Sequence, residues 1–339
     1  MARTQIGFTT CNLYNLNEPG LPMYSNTSGW SQEQYDKKIV WTANVVQQLH
    51  ADVWAFEELW HEKSLKNIFS KSGLAKEYTL LVPQGHAGDK IVCAGAVKKE
   101  YLAGQPEWIE HFPETFIMKS DGDDDQTSEI SVEIQSFSRP VLHFKIKPRS
   151  NGKQIHVFVC HFKSKAPTKI YKEAWYDKAK YSKHTEAIGS GLSTIRRTAE
   201  VTAMRMILTD LMKGTDTPVV VMGDLNDGQH SNTLNILTGQ PSYLSGLSTG
   251  GSDVDLYSAG SLQEYRSERD VYYTHVHQNT KESLDHILVS QEFYDNSKKR
   301  LWAFKGLEIL NDHLNHEDHK ETGSTDHGVV KAVFEYRPA

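Results

Sequence analysis

The sequence predicts a layered α/β fold with β-sheets inside and helices outside. Three observations support this fold class. Apolar runs typical of buried strands recur along the chain, two of these runs are joined by a hairpin signal, and two amphipathic helices each lead directly into a strand. Hairpins and helix–strand units mixed within one chain are typical of sheets that are covered by helices.

Eight strands are predicted from runs rich in β-branched and aromatic residues: 6–11, 52–56, 91–97, 142–147, 155–160, 218–222, 284–289 and 329–334. The runs 142–147 and 155–160 alternate apolar and polar residues with a period of two. Asn151-Gly152 lies between them and is a strong signal for a tight turn. These two runs are therefore predicted to form an antiparallel hairpin.

Two helices are predicted from apolar positions that recur with a period of 3.6 residues. The first follows the capping box Ser31-Gln-Glu-Gln34 and leads into the strand 52–56. The second runs from about Thr194 to Met212 and leads into the strand 218–222.

The chain has 339 residues, of which 38% are hydrophobic and 24% are charged, as is typical of a soluble globular protein. No apolar run approaches the roughly 18 residues of a membrane span. The N-terminus has no apolar signal segment, so we expect a cytoplasmic protein or a secreted one in its mature form. We expect one domain over residues 1–339, with surface insertions near 163–191 and 311–323.

The formal net charge of −6 disfavours broad electrostatic wrapping of nucleic acid, although a local basic patch or a bound cation could still attract it. The three cysteines, Cys11, Cys93 and Cys160, lie far apart within apolar runs. An odd number of cysteines without close spacing indicates buried free thiols rather than a disulfide framework or a zinc site.

Polar residues recur at the ends of the predicted strands: Asn12, Glu58, His161, Asp224, Asn226, Asp285 and Asp326-His327. Each alone has an ordinary explanation as a turn former or a solvated group. Together they suggest one site, because carboxylate and amide oxygens are the ligands that Mg²⁺ and Mn²⁺ prefer. Cleavage of a phosphate ester needs positive charge on the phosphoryl oxygens, an oriented water and a proton donor, and this set can supply them.

The ordered set resembles the endonuclease/exonuclease/phosphatase, or DNase I-like, superfamily over nearly the whole chain. The most specific motifs are Gly-Asp-Leu-Asn-Asp at 223–227 and Ser-Thr-Asp-His-Gly at 324–328. The chain departs from the usual pattern at Thr325, where serine is commoner, and at Glu57, where glutamine is usual. The resemblance implies a four-layered α/β sandwich of two mainly antiparallel sheets, packed face to face with helices outside.

The resemblance also implies a metal-dependent phosphoric ester hydrolase that uses Mg²⁺ or Mn²⁺. The expected metal ligands are Asn12, Glu58 and Asp326. Contacts with the substrate phosphate are expected from Arg139 in the Arg-Pro element, Asn226 and His161. The implied catalytic residues are His161, Asp224, Asn226, Asp285 and His327. Attack is expected to be in line, while the identity of the general base and the number of metal ions stay open.

The substrate is the least determined property. The insertion near 163–191 carries seven lysines interleaved with aromatic residues beside His161, a pattern that suits single-stranded nucleic acid. We therefore predict a nuclease that acts on DNA or RNA as a monomer without a protein partner. The alternatives are a phosphatase or phosphodiesterase for a small-molecule or lipid phosphate ester, similar to sphingomyelinases or inositol phosphatases, and an inactive binding module. The His-rich insertion near 311–323 is either a solvated loop or a second cation site.

Overall fold

The computed structural model describes residues 4–24, 27–122, 127–243, 254–267 and 273–339. Its strands are β1 (Gln5–Leu16), β2 (Val53–His61), β3 (Tyr78–Leu81), β4 (Ala87–Lys98), β5 (Glu107–His111), β6 (Lys119–Ser120), β7 (Ile130–Ser131), β8 (Ser136–Ile146), β9 (Ile155–His161), β10 (Val219–Asp224), β11 (Tyr257–Ser258), β12 (His275–His277), β13 (Thr280–Glu282), β14 (Asp285–Val289), β15 (Trp302–Leu310) and β16 (Val329–Tyr336). Its α-helices are α1 (Gln32–Leu49), α2 (Glu62–Lys71), α3 (Lys178–Tyr181), α4 (Thr185–Met212), α5 (Asn232–Thr238), α6 (Ala259–Glu264) and α7 (His319–Thr322).

Two six-stranded sheets form the centre of the molecule. The first has the strand order β15-β16-β1-β2-β4-β3, and the second has the order β11-β14-β10-β9-β8-β5. The pairs β1–β2 and β9–β10 are parallel, whereas the other pairs within these sheets are antiparallel. The predicted α/β fold class with two mainly antiparallel sheets is confirmed.

Three hydrophobic clusters define the layers. Side chains such as Phe8 and Phe334 of the first sheet meet Val157 and Met222 of the second sheet in the central cluster. A second cluster joins α1 and α2 to the outer face of the first sheet. A third cluster joins α4 and α5 to the outer face of the second sheet. Helices therefore cover both outer faces, as expected for a four-layered sandwich.

The predicted elements are present with shifted ends. All eight predicted strands occur, and β8 and β9 form the expected antiparallel hairpin. The capping box is also confirmed, because the Ser31 side chain accepts from the Gln34 N–H and the Gln34 side chain accepts from the Ser31 N–H. The second helix begins at Thr185 rather than Thr194, so its first turns lie within the segment predicted as an insertion.

Strand β15 was not predicted from the sequence. A bulge between Phe304 and Gly306 interrupts its pairing with β16, and the alternation of apolar residues is broken at the same point. No helix in the described part of the chain is both long and apolar enough to cross a membrane.

Candidate active site

Both sheets bring polar residues to one rim of the sandwich. In the second sheet, Asp224 at the end of β10 pairs with His161 of β9 on one side and with Asp285 of β14 on the other. The first sheet contributes Asn12 of β1, and the Asn12 Nδ2 donates to Asp224 Oδ2 at 3.1 Å. This hydrogen bond joins residues 212 positions apart and connects the two sheets at the site.

Gly223 allows β9 and β10 to approach closely just before Asp224. Its φ of +137° is rarely adopted by other residues, and a Cβ atom there would lie 2.0 Å from the Cys160 carbonyl oxygen. With glycine at this position, His161 Nε2 lies 3.5 Å from Asp224 Oδ2. The glycine of the Gly-Asp-Leu-Asn motif is thus required by the backbone geometry.

Glu58 is directed into the site by a bulged, left-handed backbone. The residue has a φ of +60° and lies where the pairing of β2 with β4 shifts register. Bulges of this kind re-aim a side chain, and a left-handed residue other than glycine costs about 1–3 kcal/mol. The Glu58 Oε1 lies 4.0 Å from His161 Nε2. The strain coincides with the predicted metal-binding carboxylate.

Asn15 holds Glu58 in place, although sequence analysis did not single it out. The Asn15 N–H donates to Glu58 Oε2 at 2.8 Å. Its own carbonyl and side-chain oxygens accept hydrogen bonds from the indole N–H groups of Trp30 and Trp60 at 2.8 and 3.1 Å. Asn15 and the preceding Tyr14 both have left-handed backbones. A second strained segment of the chain is therefore hydrogen-bonded to the strained Glu58. No local sequence signal predicts this pairing across β1 and β2.

His327 and His161 have opposite electrostatic environments. Burial disfavours the charged form of His327, but the carboxylates of Asp285 and Asp224 raise its pKa well above the usual value. Its Nδ1 lies 2.8 Å from Asp285 Oδ2, and its Nε2 lies 3.8 Å from Asp224 Oδ2. Burial, together with the positive charge of Arg139, lowers the pKa of His161 well below its usual value. The site thus favours the charged form of His327 and the neutral form of His161.

The buried carboxylates repel one another. Burial, reinforced by Asp285 and Glu58, raises the pKa of Asp224 to about 7, although His327 opposes the shift. Burial and the nearby Asp326 raise the pKa of Glu58. The Asp326 Oδ1 is buried and has no hydrogen-bond partner among the described residues. Such a cluster of carboxylates fits a divalent cation, which would supply the missing positive charge.

Three groups of side chains within the described residues have ligand atoms that all lie within 4.8 Å of one another. The first is Glu58, His161 and Asp224; the second is Asp224, Asp285 and His327; the third is His275, Asp326 and His327. Glu58 and Asp326 fall in different groups, each with a histidine. They are still close enough for Asp326 to raise the pKa of Glu58. The ligand roles of Asn12, Glu58 and Asp326 stay predictions.

Glu57 occupies the position where the related motif has glutamine. It is fully buried, and burial together with Asp285 raises its pKa well above the usual value. Its Oε1 accepts a hydrogen bond from the Thr10 hydroxyl at 2.9 Å. A protonated carboxylic acid is neutral and has both a donor and an acceptor, so Glu57 can replace the amide without adding a charge to the site.

Arg139 and Asn226 meet at the loop after β9. The Arg139 Nη1 and the Asn226 Nδ2 both donate to the Phe162 carbonyl oxygen, at 3.0 and 3.1 Å. Asn226 is left-handed, and its N–H donates to Asp224 Oδ1 at 2.9 Å. The structure therefore places both residues beside Asp224 and His161, while their contacts with substrate phosphate stay predictions.

The His-rich segment near 311–323 forms hydrogen bonds with the loop that carries Asp326 and His327. His313 Nε2 lies 2.7 Å from the His327 carbonyl oxygen, and His319 Nδ1 lies 2.9 Å from Ser324 Oγ. The cation site proposed as an alternative finds no support, because none of the three ligand groups within the described residues includes a histidine of this segment. His313 and His319 instead fix the Ser324–His327 loop.

Two further residues near the site were missed. Lys38 of α1 is fully buried, and its Nζ donates to the Ser324 carbonyl oxygen at 2.9 Å. It lies on the apolar stripe of α1, a helical position that could have indicated its burial. His275 of β12 forms a bridge with His327, and their ring centroids are 4.9 Å apart. Only the tertiary fold brings His275 to the site.

Comparison with known proteins gives three results. The family model described as "Endonuclease/Exonuclease/phosphatase family" matches residues 172–327. A search of curated proteins finds no match. Solved structures with the same fold include the human Nocturnin catalytic domain with a bound sulfate anion, at 14% identity, a TM-score of 0.57, and coverage of 99% of this chain and 96% of that chain.

Two further solved structures share the fold. One is the mannosyl-6-phosphatase of Bacteroides thetaiotaomicron, at 15% identity and a TM-score of 0.55, with 97% of this chain and 99% of that chain covered. The other is D. rerio TDP2 complexed with a single-strand DNA product, at 12% identity and a TM-score of 0.55, with 98% and 99% covered. The resemblance to the endonuclease/exonuclease/phosphatase superfamily is confirmed. Members of this family are hydrolases that act on phosphoester bonds.

Proposed function

We propose that this protein is a divalent-metal-dependent phosphodiester hydrolase, and specifically a nuclease that cleaves DNA or RNA. The observation that carries the proposal is the convergence of Glu58, His161, Asp224 and the Asp285–His327 pair at one rim of the sandwich. Phosphoryl transfer to water needs positive charge on the phosphate and an activated water, and these carboxylates and imidazoles can supply both together with a metal ion.

Glu58 and Asp326, with Asn12, would hold Mg²⁺ or Mn²⁺. When bound, the metal supplies positive charge to the phosphoryl oxygens and favours ionisation of a nearby water. Asp326 offers a buried oxygen without a hydrogen bond, and Glu58 is fixed by the Asn15 N–H. The oxygen-rich set is typical of hard cations.

Asp224 positions the attacking water and accepts its proton. Its pKa of about 7 suits a general base near neutral pH, and its orientation is fixed by the N–H of Asn226 and the amide of Asn12. His327 donates from Nε2 to a phosphoryl oxygen, because Asp285 occupies Nδ1. His161, whose neutral form is favoured by burial, donates a second hydrogen bond to the phosphate.

A polynucleotide is favoured over a small ester because of the segment 163–184. This segment carries seven lysines but only two acidic residues, Glu173 and Asp177, within a chain of net charge −6. Tyr171 and Trp175 are 53% and 52% exposed on it. Basic residues interleaved with exposed aromatic rings suit single-stranded nucleic acid. The single-strand DNA product bound to the TDP2 structure is consistent with this substrate class.

A substrate panel tests the proposed function. Plasmid DNA, single-stranded DNA, RNA, sphingomyelin and inositol phosphates are incubated with Mg²⁺ or Mn²⁺, with and without EDTA. We expect EDTA-sensitive cleavage of at least one polynucleotide, and loss of that cleavage in Asp224→Asn. Turnover of a lipid or inositol ester while every polynucleotide stays intact would refute the nuclease assignment. The absence of any EDTA-sensitive turnover, including of bis-p-nitrophenyl phosphate, would indicate an inactive binding module.

A second experiment tests the role of the lysine-rich segment. The triple variant Lys172→Gln, Lys178→Gln, Lys180→Gln should raise KM for single-stranded DNA and weaken its dependence on salt, because fewer counterions are released on binding. Turnover of bis-p-nitrophenyl phosphate should not change. A control triple variant neutralises exposed lysines elsewhere, at 71, 76 and 298. Equal effects of the two triple variants on DNA cleavage would contradict the proposed binding surface.

A further inference from the structure

An aromatic pair stands beside Glu58. Tyr24 is 44% exposed, and its ring packs edge-on against Trp60, with the ring centroids 5.2 Å apart and the planes at 77°. Trp60 itself is only 5% exposed. The pair thus consists of a buried indole that supports a tyrosine ring open to solvent.

The pair has a fixed position relative to the proposed metal site. Trp60 follows Glu58 by two residues in β2, and its indole N–H donates to Asn15 Oδ1 at 3.1 Å. The Asn15 N–H in turn donates to Glu58 Oε2 at 2.8 Å. A continuous set of contacts therefore runs from the exposed ring through Trp60 and Asn15 to the carboxylate.

Tyr24 also faces the proposed phosphate-binding side of the site. Burial raises the pKa of its hydroxyl, the Arg139 guanidinium lowers it, and the Glu58 carboxylate raises it. Both charged groups are therefore close to the ring. Arg139 also donates to the carbonyl of Phe162, the residue after His161, so the same guanidinium lies near both Tyr24 and the loop of the catalytic imidazole.

We propose that Tyr24, supported by Trp60, is a stacking platform for the base of the nucleotide that flanks the scissile phosphate. The inference rests on the proposed nuclease function and specifies its substrate as nucleic acid with unpaired bases. A phosphate held by Arg139 and His161 leaves its attached nucleoside near the tyrosine ring. Aromatic rings stack on any base, so this subsite would bind without sequence preference. The head group of a sugar or choline ester has no planar ring to stack.

The experiment compares oligothymidylate with the same oligomer carrying single abasic tetrahydrofuran residues at successive positions. Tyr24→Ala should lower kcat/KM on the intact oligomer by about 10- to 100-fold, since stacking contributes that much per base. It should have little effect on the oligomer whose abasic residue lies at the stacked position. Tyr24→Phe keeps the ring and should keep most of the activity. Tyr265→Ala removes an exposed ring elsewhere and serves as the matched control.

Melting temperature and Mn²⁺ affinity should be the same in Tyr24→Ala and the parent protein, because the tyrosine is neither a core residue nor a metal ligand. An equal loss on intact and abasic oligomers, or no loss on either, would overturn the stacking subsite and leave the nuclease function intact. Failure of the parent protein to cleave any oligomer would overturn the nuclease function together with the subsite. The two failures are therefore distinguishable.

Discussion

Replacing Asp285 by asparagine should reduce turnover through the charge of His327. The two side chains are buried, and Asp285 Oδ2 lies 2.8 Å from His327 Nδ1. Asp285 and Asp224 are the groups that raise the pKa of His327 against the effect of burial. Asparagine has the same shape without the charge, so the pKa of His327 should fall and the imidazole should become neutral at a lower pH.

The size of the effect follows from the charge of the acceptor, because asparagine can accept only a weaker hydrogen bond from His327 Nδ1. A hydrogen bond to a charged group contributes about 1.5–3 kcal/mol. Because 1.36 kcal/mol corresponds to a factor of ten, Asp285→Asn should lower kcat roughly 10- to 150-fold. KM should change much less, because the imidazolium acts on charge that develops in the transition state. The sign of the pKa change also predicts that the ratio of parent to variant kcat narrows as the pH is lowered, because the variant His327 regains its proton.

The assay is a pH series of kcat and KM on bis-p-nitrophenyl phosphate with saturating Mn²⁺. Glu292→Gln is the matched control. Glu292 is a buried carboxyl beyond the opposite end of β14, it accepts from the Ser290 hydroxyl, and burial raises its pKa. The control should leave kcat unchanged. A kcat of Asp285→Asn within about two-fold of the parent value across the pH series would refute the proposed role of His327 as an imidazolium donor.

Two further predictions concern stability. Gly223→Ala should destabilise the fold by about 3–5 kcal/mol in urea unfolding, because of backbone strain and overlap with the Cys160 carbonyl. The control Gly191→Ala lies on open, exposed helix surface and should stabilise the fold by about 0.5–1 kcal/mol. A small effect of Gly223→Ala would contradict the close approach of β9 and β10. Burial lowers the pKa of His156 from 6.5 to about 4, so its stabilising contribution is present above pH 6.5 and is lost as the pH falls towards 4. Because His156 is only half-buried, we expect the free energy of unfolding to fall by about 1–2 kcal/mol over this pH range. The fall should be smaller in His156→Gln. An identical pH dependence of unfolding in the two proteins would contradict the role given to His156.

The elements that could be predicted from the sequence are those whose signal is local. The capping box at Ser31 and the turn at Asn151-Gly152 each specify a helix start or a hairpin from a few neighbouring residues, and both are confirmed. Strand β15 could not be predicted, because its bulge breaks the alternating pattern that marks a strand. The early turns of α4 were missed since Gly189 and Gly191 weaken the helical pattern of the sequence there.

The same distinction applies to the site. The motif residues could be assigned because each follows or precedes a recognisable strand and the order matches a known superfamily. Asn15, Lys38 and His275 could not be assigned to the site, because their importance comes from partners far away in sequence. The hydrogen bond from Lys38 to the Ser324 carbonyl spans 286 positions, a contact that no periodicity of the sequence encodes.

Strain and unfavourable charge point to the same rim without reference to any motif. Among the described residues, eight other than glycine have left-handed backbones, and four of these lie in the site or contact it: Tyr14, Asn15, Glu58 and Asn226. The other four follow helices or join paired strands, where such backbones are ordinary: His50, Gln240, Gln278 and Asn279. Buried carboxylates with raised pKa values gather at this rim as well. Both features reduce stability, so the rest of the fold must hold them in place. Selection for stability alone does not explain why left-handed residues and buried carboxylates occur together at this rim. The binding of a cation and a phosphate at the rim does explain it.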